Sequence, residues 1–470
     1  MKKSVVIIGG GIAGLTAAFK LKNGGLEVTL LEAASKTGGV MSSVNADGYL
    51  VETGPNTILE TSPKVTQLVS ELGLDSEKIY ANEISKTRYI VRDNKPVPLP
   101  LTPGAFLGTS LFSLRAKLRL LKEPFIDPWN NQYEESLSQF VIRRLGQEFL
   151  DYAINPFVAG VYAGDPDHLS VQHGFPKLYA LEQKYGSLIK GQIKGAKERK
   201  QRAEESKQKA RMFSFREGLK TLPVTLEKTL GSAVRKNTVV TDISPRGDGW
   251  EITYRTDGRP EETLDSDYVI YAGTIYQLSS LTVERQRLED FEYFRQIYHP
   301  PITVLVLGFK RGDVRHPLDG FGMLIPKVEG YHILGALFSS TLFPGRAPQG
   351  HVSLTVFIGG ARQPEYADKP ENELVEMALG ELKILLGVTG SPTFVKRVYW
   401  PKSIPQYDVG YGRFKDKLNA LKKQYHGLYF AGNYVNGISV ADTIVQSCGV
   451  ADEIIERAKG AEAEKEESCN

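Results

Sequence analysis

Close to its start the chain reads V-V-I-I-G-G-G-I-A-G-L-T-A-A-F, residues 5–19. No other stretch constrains the fold as much. Four apolar residues, Val5–Ile8, run into a glycine, which predicts a short strand buried on both faces of a parallel sheet. Gly9, Gly11 and Gly14 then follow the G-x-G-x-x-G spacing. Gly9 permits a tight turn, Gly11 lets backbone approach a pyrophosphate, and Gly14 lets the next helix pack closely on the strand. The first N–H groups of that helix are left to face phosphate. Leu15, Ala18 and Phe19 sit at helical spacing, and Asn23-Gly24-Gly25 stops the helix. A second strand, L-E-V-T-L-L-E, ends at Glu32, placed to accept hydrogen bonds from a ribose. Strand, glycine turn, helix, strand and terminal acid together predict a dinucleotide-binding unit.

Bulk properties limit what surrounds it. The 470 residues allow several domains and a large core. Lys and Arg total 58 against 55 Asp and Glu, a net charge of +3, which argues against nucleic acid as a partner. Cys448 and Cys469 are the only cysteines and form no C-x-x-C. They offer no disulfide framework or zinc cluster, and a reducing, cytoplasmic compartment is expected. The seven histidines are scattered, so no metal site is expected. The opening M-K-K-S leaves no room for a signal peptide, and no apolar run approaches the ~20 residues that span a bilayer. A soluble protein, or one lying on a membrane surface, is expected.

Two further segments choose between a nicotinamide and a flavin. Gly38-Gly39 follows the ribose acid, as an ordinary turn or as a second approach to the pyrophosphate, and V-E-T-G-P-N-T-I-L comes soon after. Near the other end stands L-Y-F-A-G-N-Y-V-N-G-I-S-V-A-D-T-I-V-Q-S-C-G. It predicts a strand over Leu428–Phe430, a loop holding Gly432, and a helix that begins near Ser439 and Val440. Such a helix start can face the electron-rich end of an isoalloxazine ring or its ribityl chain. A nicotinamide enzyme does not need this closing segment.

Between these ends the pattern changes. Ser62-Pro63 opens a helix with Val65, Leu68, Val69 and Leu72 on one face. T-R-Y-I-V-R-D-N-K-P-V-P-L-P predicts a hairpin around Asp93-Asn94. Residues 104–221 read as helical. Within them, G-A-F-L-G-T-S-L-F-S-L-R-A-K-L-R-L-L-K-E-P-F mixes large apolar residues with Arg115, Lys117, Arg119 and Lys122. This fits a core helix with a solvated face, or a monotopic membrane contact. K-G-A-K-E-R-K-Q-R-A-E-E-S-K-Q-K-A-R reads as a solvated charge run. Later strands and hairpins include T-V-V-T-D-I-S, W-E-I-T-Y-R-T-D-G, D-Y-V-I-Y-A-G, I-T-V-L-V-L-G-F-K and H-V-S-L-T-V-F-I-G-G. N-E-L-V-E-M-A-L-G-E-L-K-I-L-L-G is an amphipathic helix, and the last residues are a polar tail. Cys448 shares a helical face with Ile444, Ala451 and Ile455 and is read as packing.

The two terminal motifs resemble those of the flavin-containing amine oxidase superfamily. Residues 155–191, N-P-F-V-A-G-V-Y-A-G-D-P-D-H-L-S through S-L-I-K-G, carry a closer likeness to the oxygen-dependent protoporphyrinogen oxidase family. F-S-F-R-E-G-L-K-T-L-P-V-T-L and G-F-G-M-L-I-P-K-V-E-G-Y-H-I-L-G-A-L-F-S-S-T-L-F-P-G-R agree with it. The resemblance implies a fold of mixed α/β and α+β class. Its parts are a discontinuous Rossmann-like FAD domain (1–80, 222–292, 395–458), a mixed-sheet substrate domain (81–100, 293–394), a helical membrane-associated domain (101–221) and a disordered tail (459–470).

It also implies FAD held by Gly9, Gly11, Ile12, Ala13, Gly14, Glu32, Ala33, Gly38, Gly39, Gly54, Pro55, Asn56, Thr57, Gly432, Ser439 and Val440, with Val239 on the adenine side. Trp400 stacks near the flavin or belongs to the core. Arg88 resembles a propionate-pairing arginine, Leu324 and Phe338 resemble residues that sandwich a pyrrole ring, and Gly160 resembles a glycine whose carbonyl faces the macrocycle. Asn56 is assigned to positioning at the flavin–substrate junction. One departure stands out: Val40 occupies a place where many members carry Arg or Lys, and backbone groups with Ser42 or Ser43 are expected to take its role.

The implied activity is oxidation of protoporphyrinogen IX by molecular oxygen, in six electrons, with peroxide formed. It comes with peripheral contact on the inner face of the cell membrane and leaves room for a homodimer. Coproporphyrinogen III is the alternative substrate; a second pocket cation would favour it. An amine oxidase or desaturase, and a non-catalytic binding protein on the same fold, are the further alternatives.

Overall fold

The computed structural model describes residues 2–129, 133–195 and 211–468. Strand β1 (Ser4–Ile8), helix α1 (Ile12–Asn23) and strand β2 (Glu27–Leu31) form where the glycine motif predicts them. Gly9 takes φ +110°, and a Cβ at Gly14 would stand 1.9 Å from the Gly9 carbonyl oxygen, so both positions require glycine. β1 and β2 belong to a five-stranded parallel sheet ordered Val234–Arg235, β2, β1, Tyr268–Tyr271, Leu428–Phe430. Three stretches far apart in sequence thus bring their carboxyl ends to one edge. Such an edge is where open α/β sheets bind ligands. Helix α1 packs between the sheet and two later helices, and its residues Leu15, Ala17, Ala18 and Leu21 are fully buried. Cys448 lies in that same core, 2 % exposed.

A second, seven-stranded mixed sheet carries β3 (Arg88–Arg92), β4 (Lys95–Pro98), β5 (Ile302–Lys310), β6 (Gly322–Leu324), β7 (Ile333–Leu337), β8 (His351–Gly359) and β9 (Phe394–Trp400). Its order is β9-β5-β8-β7-β6-β3-β4. Asp93 and Asn94 turn the β3–β4 hairpin with φ of +51° and +61°, the left-handed pair such a two-residue turn demands. One face of the sheet buries the amphipathic helix Glu371–Leu386. The other meets the ribbon Tyr49–Glu52 at one end and a layer of short helices at the other. That layer includes α2 (Asn155–Tyr162), entered through a π-helical turn at Leu150–Ile154.

Two expectations are corrected. The region read as helical up to 221 contains a strand, Met212–Phe215, which pairs with Ile58–Leu59 and Lys78–Tyr80. Phe213, Ser214 and Phe215 are all buried there, at 1 %, 0 % and 0 % exposure, in a short strand hidden beside the charge run. The charge run itself, residues 196–210, lies outside the described residues. Helix α4 (Val440–Ser468) runs into the tail expected to be disordered, because Ala, Glu and Lys are strong helix formers and the single Gly460 does not end it. Among the described residues no helix is long and apolar enough to cross a membrane.

Candidate active site

The carboxyl edge of the parallel sheet is organised around the glycines. Gly11 and Gly38 form a β-bridge, and the Gly38 N–H donates to the Gly10 carbonyl at 2.8 Å. Gly39 turns with φ +57°, and a Cβ there would lie 3.5 Å from the Gly11 Cα. The two glycine loops therefore stack face to face. In front of Gly11 no protein atom lies within 4 Å of where a Cβ would be. This is an open cradle at the start of α1, where Ile12, Ala13 and Gly14 leave backbone N–H groups without helical partners. Glu32 accepts from the Gly10 N–H at 2.5 Å and the Ala34 N–H at 2.7 Å, which fixes its carboxylate beside the cradle and next to Ala33. The Thr238 N–H donates to the Glu32 carbonyl at 2.9 Å, bringing the half-exposed Val239 to the same place. These features fit a dinucleotide: an open glycine face for phosphates and an anchored acid for a ribose.

The far end of the cradle is closed by three segments. A Cβ at Gly54 would collide with the Val40 carbonyl oxygen at 2.1 Å, so the loop Gly54-Pro55-Asn56-Thr57 is pressed against the glycine-pair loop. Asn56 Nδ2 donates to the Gly54 carbonyl at 3.3 Å, which holds its side chain in the loop. The Trp400 indole N–H donates to the Thr53 carbonyl at 2.8 Å, tying the end of β9 to that loop. Gly432 follows the last parallel strand, and its N–H donates to Gln446 at 3.2 Å. Ser439 caps α4: its hydroxyl accepts from the Asp442 N–H and donates to the Asp442 carboxylate at 2.6 Å. The N–H groups at Val440 and Ala441 then point out of the helix start. Of the two serines offered for the phosphate role, Ser42 is exposed and Ser43 is engaged elsewhere. Ser43 is 6 % exposed, donates to Glu52 at 2.6 Å and accepts from the Lys220 N–H at 3.1 Å.

Beyond Trp400 the seven-stranded sheet offers a floor. Register pairs Arg88 with Gly322 and Leu337, and pairs Ile90 with Leu324, Gly335 and Phe357. Residues directly opposite share a face, so Arg88, Leu324, Leu337 and Phe357 present to one side. α2 covers part of this face: a Cβ at Gly160 would stand 2.3 Å from Leu324 Cδ2. Helix and sheet pack closely at this point, and Arg88 stands at the edge of the apolar face. Arg88 is exposed, lies 5.2 Å from the Phe321 ring and makes no ion pair among the described residues.

Phe338 is a correction. It is 0 % exposed and packs on the opposite face with Tyr89 and His316 at 6.4 and 5.5 Å between ring centroids. Leu337 and Phe357, which the sequence reading missed, hold the Arg88 face instead. Strand alternation counted from Arg88 finds them, but only once the pairing partners are known.

The structure thus brings two groups together. Gly9, Gly11, Ile12, Ala13, Gly14, Glu32, Ala33, Gly38, Gly39, Val239, Gly432, Ser439 and Val440 line the sheet edge. Gly54 to Thr57, Trp400, Arg88, Gly160 and Leu324 line the junction and the floor.

Comparison with known proteins agrees with this geometry. The family model described as flavin containing amine oxidoreductase matches residues 12–455. The mitochondrial protoporphyrinogen oxidase of Nicotiana tabacum is 36 % identical, with 99 % of this chain and 97 % of that protein covered. The coproporphyrinogen III oxidase of Bacillus subtilis (strain 168) is 32 % identical, covering 95 % and 96 %. Cyclohexylamine oxidase from Brevibacterium oxydans superposes with a TM-score of 0.68 at 16 % identity, over 98 % of this chain and 100 % of the other, which shows a shared fold. On the match across nearly its whole length, the chain belongs to the flavin containing amine oxidoreductase family and is a flavin-containing oxidoreductase.

Proposed function

We propose that the protein is an FAD-dependent porphyrinogen oxidase acting on protoporphyrinogen IX, with molecular oxygen as electron acceptor. The observation that carries this is the apolar sheet face of Leu324, Leu337 and Phe357, with Arg88, unpaired among the described residues, at its edge and Trp400 tying the sheet to the cradle. A flat, greasy macrocycle bearing carboxylates matches such a face; a small amine does not need one. Bound flavin supplies the two-electron oxidation, three times per macrocycle. The chain's own residues do the rest. Arg88 offers two parallel N–H donors to a propionate. The absent side chain at Gly160 lets α2 settle onto Leu324 and so places helix backbone beside this face. Asn56 and Trp400 hold the junction, and the glycine loops carry the phosphates. The relatives named for protoporphyrinogen and coproporphyrinogen oxidation support this substrate class.

Protoporphyrinogen is taken as the substrate and coproporphyrinogen as the alternative; Arg88 makes no ion pair among the described residues and is free to meet a propionate. Offering the purified holoenzyme each porphyrinogen and following the rise in porphyrin fluorescence tests this. A faster gain with protoporphyrinogen supports it, a strong preference for the tetracarboxylate reverses the choice, and no gain with either removes the function.

We also infer peripheral attachment to the inner face of the cell membrane, from the cytoplasm. Leu101, Leu107, Leu114, Leu118, Leu121 and Phe125 are 54–86 % exposed along one short run, beside Arg115 and Lys122. Exposed apolar residues flanked by cations suit insertion among lipid head groups.

A further inference from the structure

Among the described residues, no ion-pairing cation faces the glycine cradle where its chemistry asks for one. The pyrophosphate of a dinucleotide brings two negative charges, and Glu32 adds a third beside it. One helix start supplies only about half a positive charge. Val40, 51 % exposed just past the glycine pair, supplies none, and Ser43 is engaged elsewhere.

A second helix comes to the same place. α3 (Thr221–Leu230) lies along α1 and points the same way, because Lys22 at the end of α1 reaches the carbonyl of Leu230 at the end of α3, at 2.9 Å. Its first turn touches the glycine pair: a Cβ at Gly38 would meet Pro223 at 3.2 Å. Lys220 caps this helix start and is fastened by its N–H to Ser43.

Two other cations near the cradle are engaged. Lys236 pairs with Glu227 at 2.6 Å, and Arg235 donates to the Tyr254 hydroxyl at 3.0 Å. Lys220 is partly buried and makes no ion pair within 4 Å among the described residues, though its charge reaches the buried Glu52 carboxylate; Lys36, also without an ion pair, is exposed past Glu32. A lysine stem is long and flexible enough to carry its ammonium around the loop.

We propose that Lys220 supplies the charge that Val40 does not, pairing its ammonium with the pyrophosphate of FAD. The inference rests on FAD being the cofactor. It is tested on full-length apoprotein titrated with FAD, with binding read by quenching of flavin fluorescence at several salt concentrations. Lys220→Gln is expected to weaken FAD binding about tenfold or more at low salt and to flatten the salt dependence. Lys220→Arg is expected to keep both. Val40→Arg added to Lys220→Gln should restore affinity, with apoprotein melting unchanged throughout as the control for folding. Wild-type affinity and salt dependence in Lys220→Gln would overturn the assignment, as would a larger loss in Lys36→Gln. Wild-type protein that takes up no FAD would overturn the cofactor itself, a different failure from the first.

Discussion

Neighbouring glycines of the same motif answer to different demands, and substitution separates them. Gly11 faces open space, whereas a Cβ at Gly14 would press on the Gly9 carbonyl. Gly11→Val should therefore fold and melt as wild type but emerge colourless, because its side chain fills the phosphate cradle. Gly14→Ala should lower the melting temperature as well. Absorbance near the flavin bands together with a thermal melt distinguishes them. Arg88→Ala should keep FAD and raise KM about 10- to 100-fold, the loss expected for a charged hydrogen bond of about 1.5–3 kcal/mol. Unchanged kinetics would remove Arg88 from the floor.

A buried imidazole gives a pH prediction at the same scale. Burial holds His299 down to about 4, and its Nδ1 contacts the Ile297 carbonyl at 2.9 Å. The unfolded chain binds this proton near pH 6.5 and the folded chain does not, so the contribution to stability is complete above 6.5 and is lost as pH falls toward 4. Melts between pH 6.5 and 4 should lose on the order of 2–3 kcal/mol from this group. His299→Gln should flatten that part of the profile.

Elements show where local pattern stops being enough. The helical layer holds a buried ionic network: Arg144 and Glu123 are 0 % exposed and 3.3 Å apart, and Glu182 binds both Arg144 and Arg143. Glu123 also accepts from the N–H groups of Leu188 and Ile189. It stands two residues before Phe125, so the network fixes the exposed apolar run to the body. Arg144→Met leaves the buried Glu123 carboxylate without its cation, while Glu182 keeps Arg143, and should destabilise this layer by about 3–5 kcal/mol, seen as earlier proteolysis of the helical region while the flavin stays bound. Leu121→Ser with Phe125→Ser should leave folding intact and abolish co-sedimentation with anionic vesicles; undiminished binding would place the membrane contact elsewhere. The sheet teaches a related lesson. Leu337 and Phe338 look interchangeable in G-A-L-F-S-S, but a one-residue difference flips the face, and only pairing to β6 and β3 decides which one joins the Arg88 face.

Across the whole molecule, the cofactor edge was largely legible in the sequence and the substrate floor was not. Residues 5–32 carry their own evidence: apolar run, glycines and terminal acid lie within one short stretch, and local sterics dictate the turn. The cap at Ser62 and the β3–β4 turn at Asp93-Asn94 are local for the same reason. Phe338, Ser43, the strand at Met212–Phe215 and the end of α4 could not be settled that way, since each depends on a partner distant in the chain or on competition between weak propensities.

What the sequence determined by itself was the presence of a dinucleotide turn and of a second segment able to close over a flavin, because backbone geometry and charge at helix starts are properties of a few adjacent residues. Tertiary structure alone decided which faces meet. It set Gly160 against Leu324 and turned Phe338 away from Arg88. It also laid α3 beside α1. Each of these is a contact between segments tens to hundreds of residues apart, and side-chain periodicity gives alternation along a strand without saying which side becomes the inside.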